Sequence, residues 1–210
     1  MIEANKLSAV LSAPVSPSVI GDECLMALVV QGDEAAFASL VKRHASPLYR
    51  VALRMLDNAH EAEDVVQECF TRMWQQAPRW QPSGAGLVGW LHRVTMNLCF
   101  DRHRRLRLVL TDSLPELPDG APLADRVIET DEAQHALAAA LADLPERYRA
   151  ALVMCYYEGL SNAVAAEALE LNLKAMESLL FRARRHLRQL LESRQMTARE
   201  MLVGFAECAA

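Results

Sequence analysis

The stretch Glu158–Leu191, reading EGLSNAVAAEALELNLKAMESLLFRARRHLRQLL, constrains this chain more than any other. It predicts two helices joined by a tight turn, the second closing on a run of arginines. Ser161 can cap the backbone donors of the first helix. Val164, Ala165, Ala168 and Leu169 give that helix one apolar face. Glu170-Leu171-Asn172-Leu173 is short enough to be the turn, with Asn172 suited to a cap or a left-handed bend. Met176, Leu179, Leu180, Ala183 and Leu187 rebuild an apolar stripe, while Lys174, Ser178, Arg182, Arg185 and Arg188 occupy other faces. Such a unit suits a helix-turn-helix whose second helix enters the major groove. It equally suits a plain helical hairpin with solvated arginines, and a charge run does not separate the two.

The rest of the chain bears on that choice. Its 210 residues allow one large domain or two small ones, and 52% hydrophobic content with few glycines favours a helical protein. A net charge of −5 excludes a globally basic nucleic-acid coat, so DNA contact must come from local patches. The cysteines, at 24, 69, 99, 155 and 208, form no CxxC and fall mostly in apolar stripes. Reduced thiols in a cytoplasmic protein follow, rather than a disulfide framework or a zinc site. No run is long enough for a membrane span, and residues 1–21 read as a disordered tail rather than a signal peptide.

From Asp22 the pattern is helical. Asp33 can cap a helix carrying Phe37, Leu40, Val41, His44, Leu48, Val51, Ala52 and Met55 on one side, and Asp57-Asn58 is a turn and cap. Ala59–Gln76 places Ala62, Val65, Val66, Cys69, Phe70 and Met73 on one face. Glu61, Asp64, Gln67 and Glu68 lie on the other, an acidic stripe that the core does not need. Pro78, Pro82, Ser83, Gly84 and Gly86 mark Ala77–Gly89 as a loop, in which Trp80 is either a packing anchor or a stacking surface. A helix over Trp90–Arg107 has Leu91, Val94, Thr95 and Leu98 as its stripe and ends Arg102-His103-Arg104-Arg105-Leu106-Arg107. One or two basic residues complement a helix C-terminus; this run exceeds that need and points to phosphates. Acidic residues among Pro115, Pro118, Gly120 and Pro122 make 109–132 a flexible linker. A second domain then begins, with Pro145 restarting a helix at its first turn.

Taken in order, these segments resemble a sigma-70 factor of the group IV, extracytoplasmic-function (ECF) type. Gly32 to Phe37, His60 to Phe70 with Trp74, and Gly89 to Leu98 followed by Asp101 to Arg105 are similar to the family's region 2. Leu141, Leu144-Pro145-Glu146, Arg147-Tyr148-Arg149, Glu158 to Ser161 and Arg182 to Leu187 are similar to its region 4. The resemblance implies an all-α chain of two small helical domains: a region 2 bundle over 22–108 and a region 4 helix-turn-helix over 133–194. The acidic linker joins them and a tail follows over 195–210.

It also implies a role: binding core RNA polymerase through its clamp coiled coil and flap, recognising −35 and −10 promoter elements, and opening DNA. Carried over, Glu61, Asp64, Gln67 and Glu68 would face the clamp coiled coil. Arg93, Asn97, Arg102, Arg104, Arg105 and Arg107 would face the −10 region, with the loop Ala77–Gly89 embracing a flipped base. Lys174, Ser178, Phe181, Arg182, Arg184 and Arg185 would face the −35 element. Glu170 replaces the usual turn glycine, and Glu177 and Leu179 stand where many relatives carry lysine and arginine. A cognate anti-sigma factor is the further implied partner. No HExxH, Gly-rich phosphate loop or GxSxG is present, and the histidines lack ligand-like pairing with cysteines. No enzyme activity, metal or cofactor is therefore expected. The rival readings are a helix-turn-helix regulator that binds duplex DNA without polymerase, and an all-helical enzyme or scaffold.

Overall fold

The computed structural model describes residues 20–81, 84–112 and 131–193. The expected tail 195–210, residues 1–19 of the expected N-terminal tail and residues 113–130 of the expected linker lie outside them. All regular structure among the described residues is helical. The elements are α1 (Asp22–Val30), α2 (Glu34–Leu56), α3 (Ala59–Gln76), α4 (Gly86–Asp112), α5 (Asp131–Ala142), α6 (Glu146–Leu152), α7 (Asn162–Ala168) and α8 (Leu173–Ser193).

The helix starts follow the capping chemistry of the sequence. The Asp33 carboxylate accepts from the amides of Ala35 and Ala36 at 2.8 and 2.9 Å, and Asn58 Oδ1 accepts from that of Glu61 at 3.1 Å. Ser161 and Asn172 cap α7 and α8 in the same way, through the amides of Val164 and Ala175. Asn172 is thus a cap, and the left-handed residue of the turn is Glu170, at φ +56°. A non-glycine residue holds that bend at the steric cost of its side chain.

Three expected boundaries move. Ala77–Gly89 is not an open loop throughout: a 3-10 turn covers Ala77–Arg79, and α4 begins at Gly86. Pro78 sits at the start of that turn, where its missing donor costs nothing. Burial of Leu87 accounts for the early start of α4. At its other end α4 runs to Asp112, and α5 begins at Asp131, so 109–112 and 131–132 are helical rather than linker. The helix that starts at Glu146 continues through a π turn, Val153–Tyr157. Gly159 closes it at φ +65°, with the Leu160 amide donating back to the Met154 carbonyl at 3.0 Å.

The first four helices form one bundle in which α4 packs on both α2 and α3. Helices α5 to α8 form the second, with α8 against α6 and α7. α4 is buried over a wider arc than its expected stripe: Leu87, His92, Met96 and Cys99 join Leu91, Thr95 and Leu98 inside. α4 has neighbours on several sides, since α7 of the second bundle also packs on it besides α2 and α3. Arg149 is buried at this junction; its Nη1 donates to the Met55 carbonyl at the end of α2 at 2.7 Å, and Nη2 donates to the Ala142 carbonyl. Burial pulls its guanidinium down from the ordinary value, opposed by Glu146, Asp57 and Asp143.

Candidate nucleic-acid interface

Three surfaces carry the side chains that the sequence singles out. On α8, apolar residues at i, i+3, i+4 and i+7 turn Met176, Leu179, Leu180, Ala183 and Leu187 inward. The opposite ridge presents Lys174, Ser178, Phe181 and Arg185, with Arg182 and Arg184 flanking it, all exposed. Phe181 is 63% exposed, which no packing role explains. Arg184 donates to the Tyr156 hydroxyl at 3.0 Å, and the Ser178 hydroxyl donates back to the Lys174 carbonyl. Glu177 shares the exposed side, whereas Leu179 is buried. Leu179 therefore belongs to the packed face of α8 and not to its contact face.

On α4 the expected group is less uniform. Asn97, Arg104 and Arg105 are exposed, Arg93 and Arg102 half-buried, and Arg107 lies on the last turns of the helix. Two arginines have internal partners. Arg102 Nε donates to Glu61 at 2.7 Å, and Arg104 to Asp101 at 2.8 Å. The first of these joins a residue expected at the DNA face to one expected at the polymerase face. His103 Nε2 lies 2.7 Å from the Met55 carbonyl, so this end of α4 and Arg149 converge on the same helix terminus. Trp80 is half-buried against the core, in keeping with a packing anchor.

On α3, Asp64 and Gln67 are exposed, while Glu61 and Glu68 are half-buried and engaged by Arg102 and Arg72. Beside this stripe runs a feature that the sequence reading missed. An apolar groove between α2 and α3 is lined by Phe37, Val41, Tyr49, Val66, Phe70 and Trp74, with Gln67 and Glu63 at its rim. Phe37 meets Trp74 edge-on at 5.0 Å between ring centroids, and Phe70 at 6.4 Å. Phe37, Val41 and Val66 are apolar at helical spacing, so the sequence assigns them to the core; only the width left between α2 and α3 shows them to be accessible.

The titratable groups argue for packing rather than chemistry. Burial pushes the thiols of Cys69 and Cys155 up to about 11 and that of Cys99 to about 12, far from a reactive thiolate. Cys24 is exposed, unlike the others, and Cys208 lies outside the described residues. No group of three or more potential metal ligands occurs among the described residues, and no described helix is long and apolar enough to cross a membrane.

The Sigma-70 region 2 family matches residues 40–109, and the Sigma-70 region 4 family matches residues 134–187. The ECF RNA polymerase sigma factor SigE of Mycolicibacterium smegmatis is 38% identical over 167 residues, 76% of this chain and 64% of SigE, so the match spans somewhat under two thirds of that relative. SigM of Mycobacterium tuberculosis is 34% identical over 81% of this chain and 84% of its own length. SigW of Bacillus subtilis is 29% identical over 78% and 92%. Among solved structures, CnrH in complex with the cytosolic domain of CnrY matches with a TM-score of 0.62, at 27% identity, over 82% of this chain and 97% of that one.

Proposed function

This chain belongs to the ECF RNA polymerase sigma factors of the sigma-70 family, and from that premise we propose that it binds core RNA polymerase and directs it to promoters. The observation that carries the proposal is the separation of surfaces on one frame. An apolar groove with an acidic rim lies on the α2–α3 side, and two helices bearing basic residues, α4 and α8, lie elsewhere. A protein that bound only duplex DNA has no use for the first.

Phe37, Val66 and Trp74 supply apolar area for a helix of the polymerase clamp, and Asp64, Gln67 and Glu68 pair with basic residues that flank it. Asn97 offers a bidentate amide to an exposed base edge of the −10 element, with Arg93, Arg102, Arg104, Arg105 and Arg107 on phosphates. The α8 ridge enters the major groove of the −35 element; Lys174, Arg182, Arg184 and Arg185 neutralise phosphates, Ser178 takes a base edge, and Phe181 meets thymine methyl groups. The role is non-catalytic and its site of action is cytoplasmic. The same groove suits an anti-sigma factor, which would compete with polymerase for it.

Run-off transcription with core polymerase on promoter DNA tests this. Wild-type chain is expected to rescue start-site-specific initiation. Trp74→Ala is expected to raise the concentration needed by at least tenfold with helicity unchanged, because Trp74 is already 37% exposed. DNA binding without any rescue of core polymerase would instead support the stand-alone regulator.

A further inference from the structure

One carboxylate stands among the basic side chains on the outward side of α8. Glu177, Phe181, Arg184 and Arg188 recur at i, i+4, i+7 and i+11 and are all exposed, so they share one ridge. Met176 and Leu180 on the opposite side are buried, which keeps Glu177 turned outward. Glu177 makes no ion pair among the described residues, although Lys174 lies about one turn before it. The next members of the ridge do not neutralise it either. Phe181 is 63% exposed and apolar, and Arg184 donates to the Tyr156 hydroxyl at 3.0 Å.

A carboxylate on a ridge that enters the major groove has few favourable partners. Phosphates repel it, and so do the O6 and N7 acceptors of guanine. Adenine offers its N6 amino group beside the N7 acceptor, which offsets the gain. Cytosine offers the N4 amino group with no acceptor of its own at that edge. Glu177 sits in the second turn of α8, which begins at Leu173, and the N-terminal part of a recognition helix is the part that reaches base edges.

We propose that Glu177 is a specificity-determining residue that reads a cytosine of the −35 element by accepting a hydrogen bond from its N4 amino group. The proposal rests on the sigma-factor reading given above and narrows it. Phe181 lies one turn further on, about 5.4 Å along the helix. With the helix lying along the groove, at about 3.4 Å per base pair, its ring falls one or two pairs from that cytosine. The pair of residues therefore selects a short step, a cytosine with a thymine methyl group close by. Arg184 and Arg188, nearer the C-terminal end of the ridge, are left for the backbone.

The full-length chain with core polymerase tests this on a promoter identified by mapping transcript starts after overexpression. Its −35 element is randomised, and each variant is linked to a barcode in the transcribed region, so that sequencing the run-off RNA ranks them. Wild type is expected to prefer a C·G pair in one orientation at one position, with the inverted pair lowering initiation about tenfold. Glu177→Ala is expected to bring all pairs at that position within about threefold of one another, with preferences at other positions unchanged. Glu177→Gln is expected to move the preference from cytosine to adenine, because an amide donates to N7 while it accepts from N6. Both variants are expected to keep wild-type helicity, since Glu177 is exposed. Variants that initiate more strongly on every sequence alike mean that Glu177 only repels phosphates, which overturns the proposal. A wild type without a cytosine preference at any −35 position overturns it too. Wild type that gives no run-off transcription at all overturns the sigma-factor reading and this proposal with it; active wild type with unresponsive Glu177 variants overturns the proposal alone.

Discussion

Helices α4 and α8 are both basic, both amphipathic and both assigned to DNA, yet they are built differently. α8 is buried on one side only, and its outward ridge carries no ion pair among the described residues. α4 is gripped from three directions, and two of its arginines, Arg102 and Arg104, are paired with Glu61 and Asp101. On the proposed function α8 would follow the groove with side chains free of ion pairs, and α4 would hold strands apart from a rigid seat. Equal charge density does not mean equal availability: the ion-pair partners decide how much of a basic run is left for phosphate.

The largest expected effect separates the two helices by stability. Leu91 on α4 is fully buried, so Leu91→Ala is expected to cost about 2–5 kcal/mol in urea unfolding. Phe181→Ala on α8 is expected to stay within about 0.5 kcal/mol, while weakening promoter binding. Equal losses from the two would erase the distinction. Next comes salt dependence. Arg185→Ala is expected to weaken DNA binding several-fold and to lower the slope of log affinity against log salt by about 1. Arg104→Ala is expected to lower it by less, because Asp101 already offsets its charge.

A smaller change sharpens the role of the Glu61–Arg102 pair. Glu61→Gln releases Arg102 and is expected to raise promoter affinity in the polymerase complex about twofold, at a stability cost below about 1 kcal/mol for a pair with this exposure. A fall in affinity would mean that Glu61 positions Arg102 rather than sequestering it. The smallest effect is in pH. Burial lowers His92 from the ordinary 6.5, with Val88 and Glu158 opposing and His44 adding to the fall. Its Nδ1 is held at 2.8 Å from the Val88 carbonyl, and Nε2 has no partner. The unfolded chain therefore binds the proton more readily than the folded one. Stability is expected to be full above pH 6.5 and to fall as pH drops below it, and His92→Gln is expected to flatten that limb in thermal melts.

Much of this was legible early because it is local. Caps at Asp33, Asn58, Ser161 and Asn172 depend on residues three positions away, and the stripes of α2, α3 and α8 repeat at helical spacing. Phe37, Val41 and Val66 show the limit: periodicity marks a residue as apolar but cannot say whether a neighbouring helix comes close enough to cover it. Leu179 shows the converse, since the resemblance invites a contact role that its burial on α8 forbids.

By itself, then, the sequence determined the helices, their caps, the two-bundle order and the family, because each rests on short-range patterns and ordered motifs. Only the tertiary structure decided which apolar residues line a groove, which arginines are already paired, and that α7 closes on the start of α4. Those facts depend on partners far apart in the chain, such as Arg50 with Glu158 and Ala85 with Glu167. No local spacing encodes them.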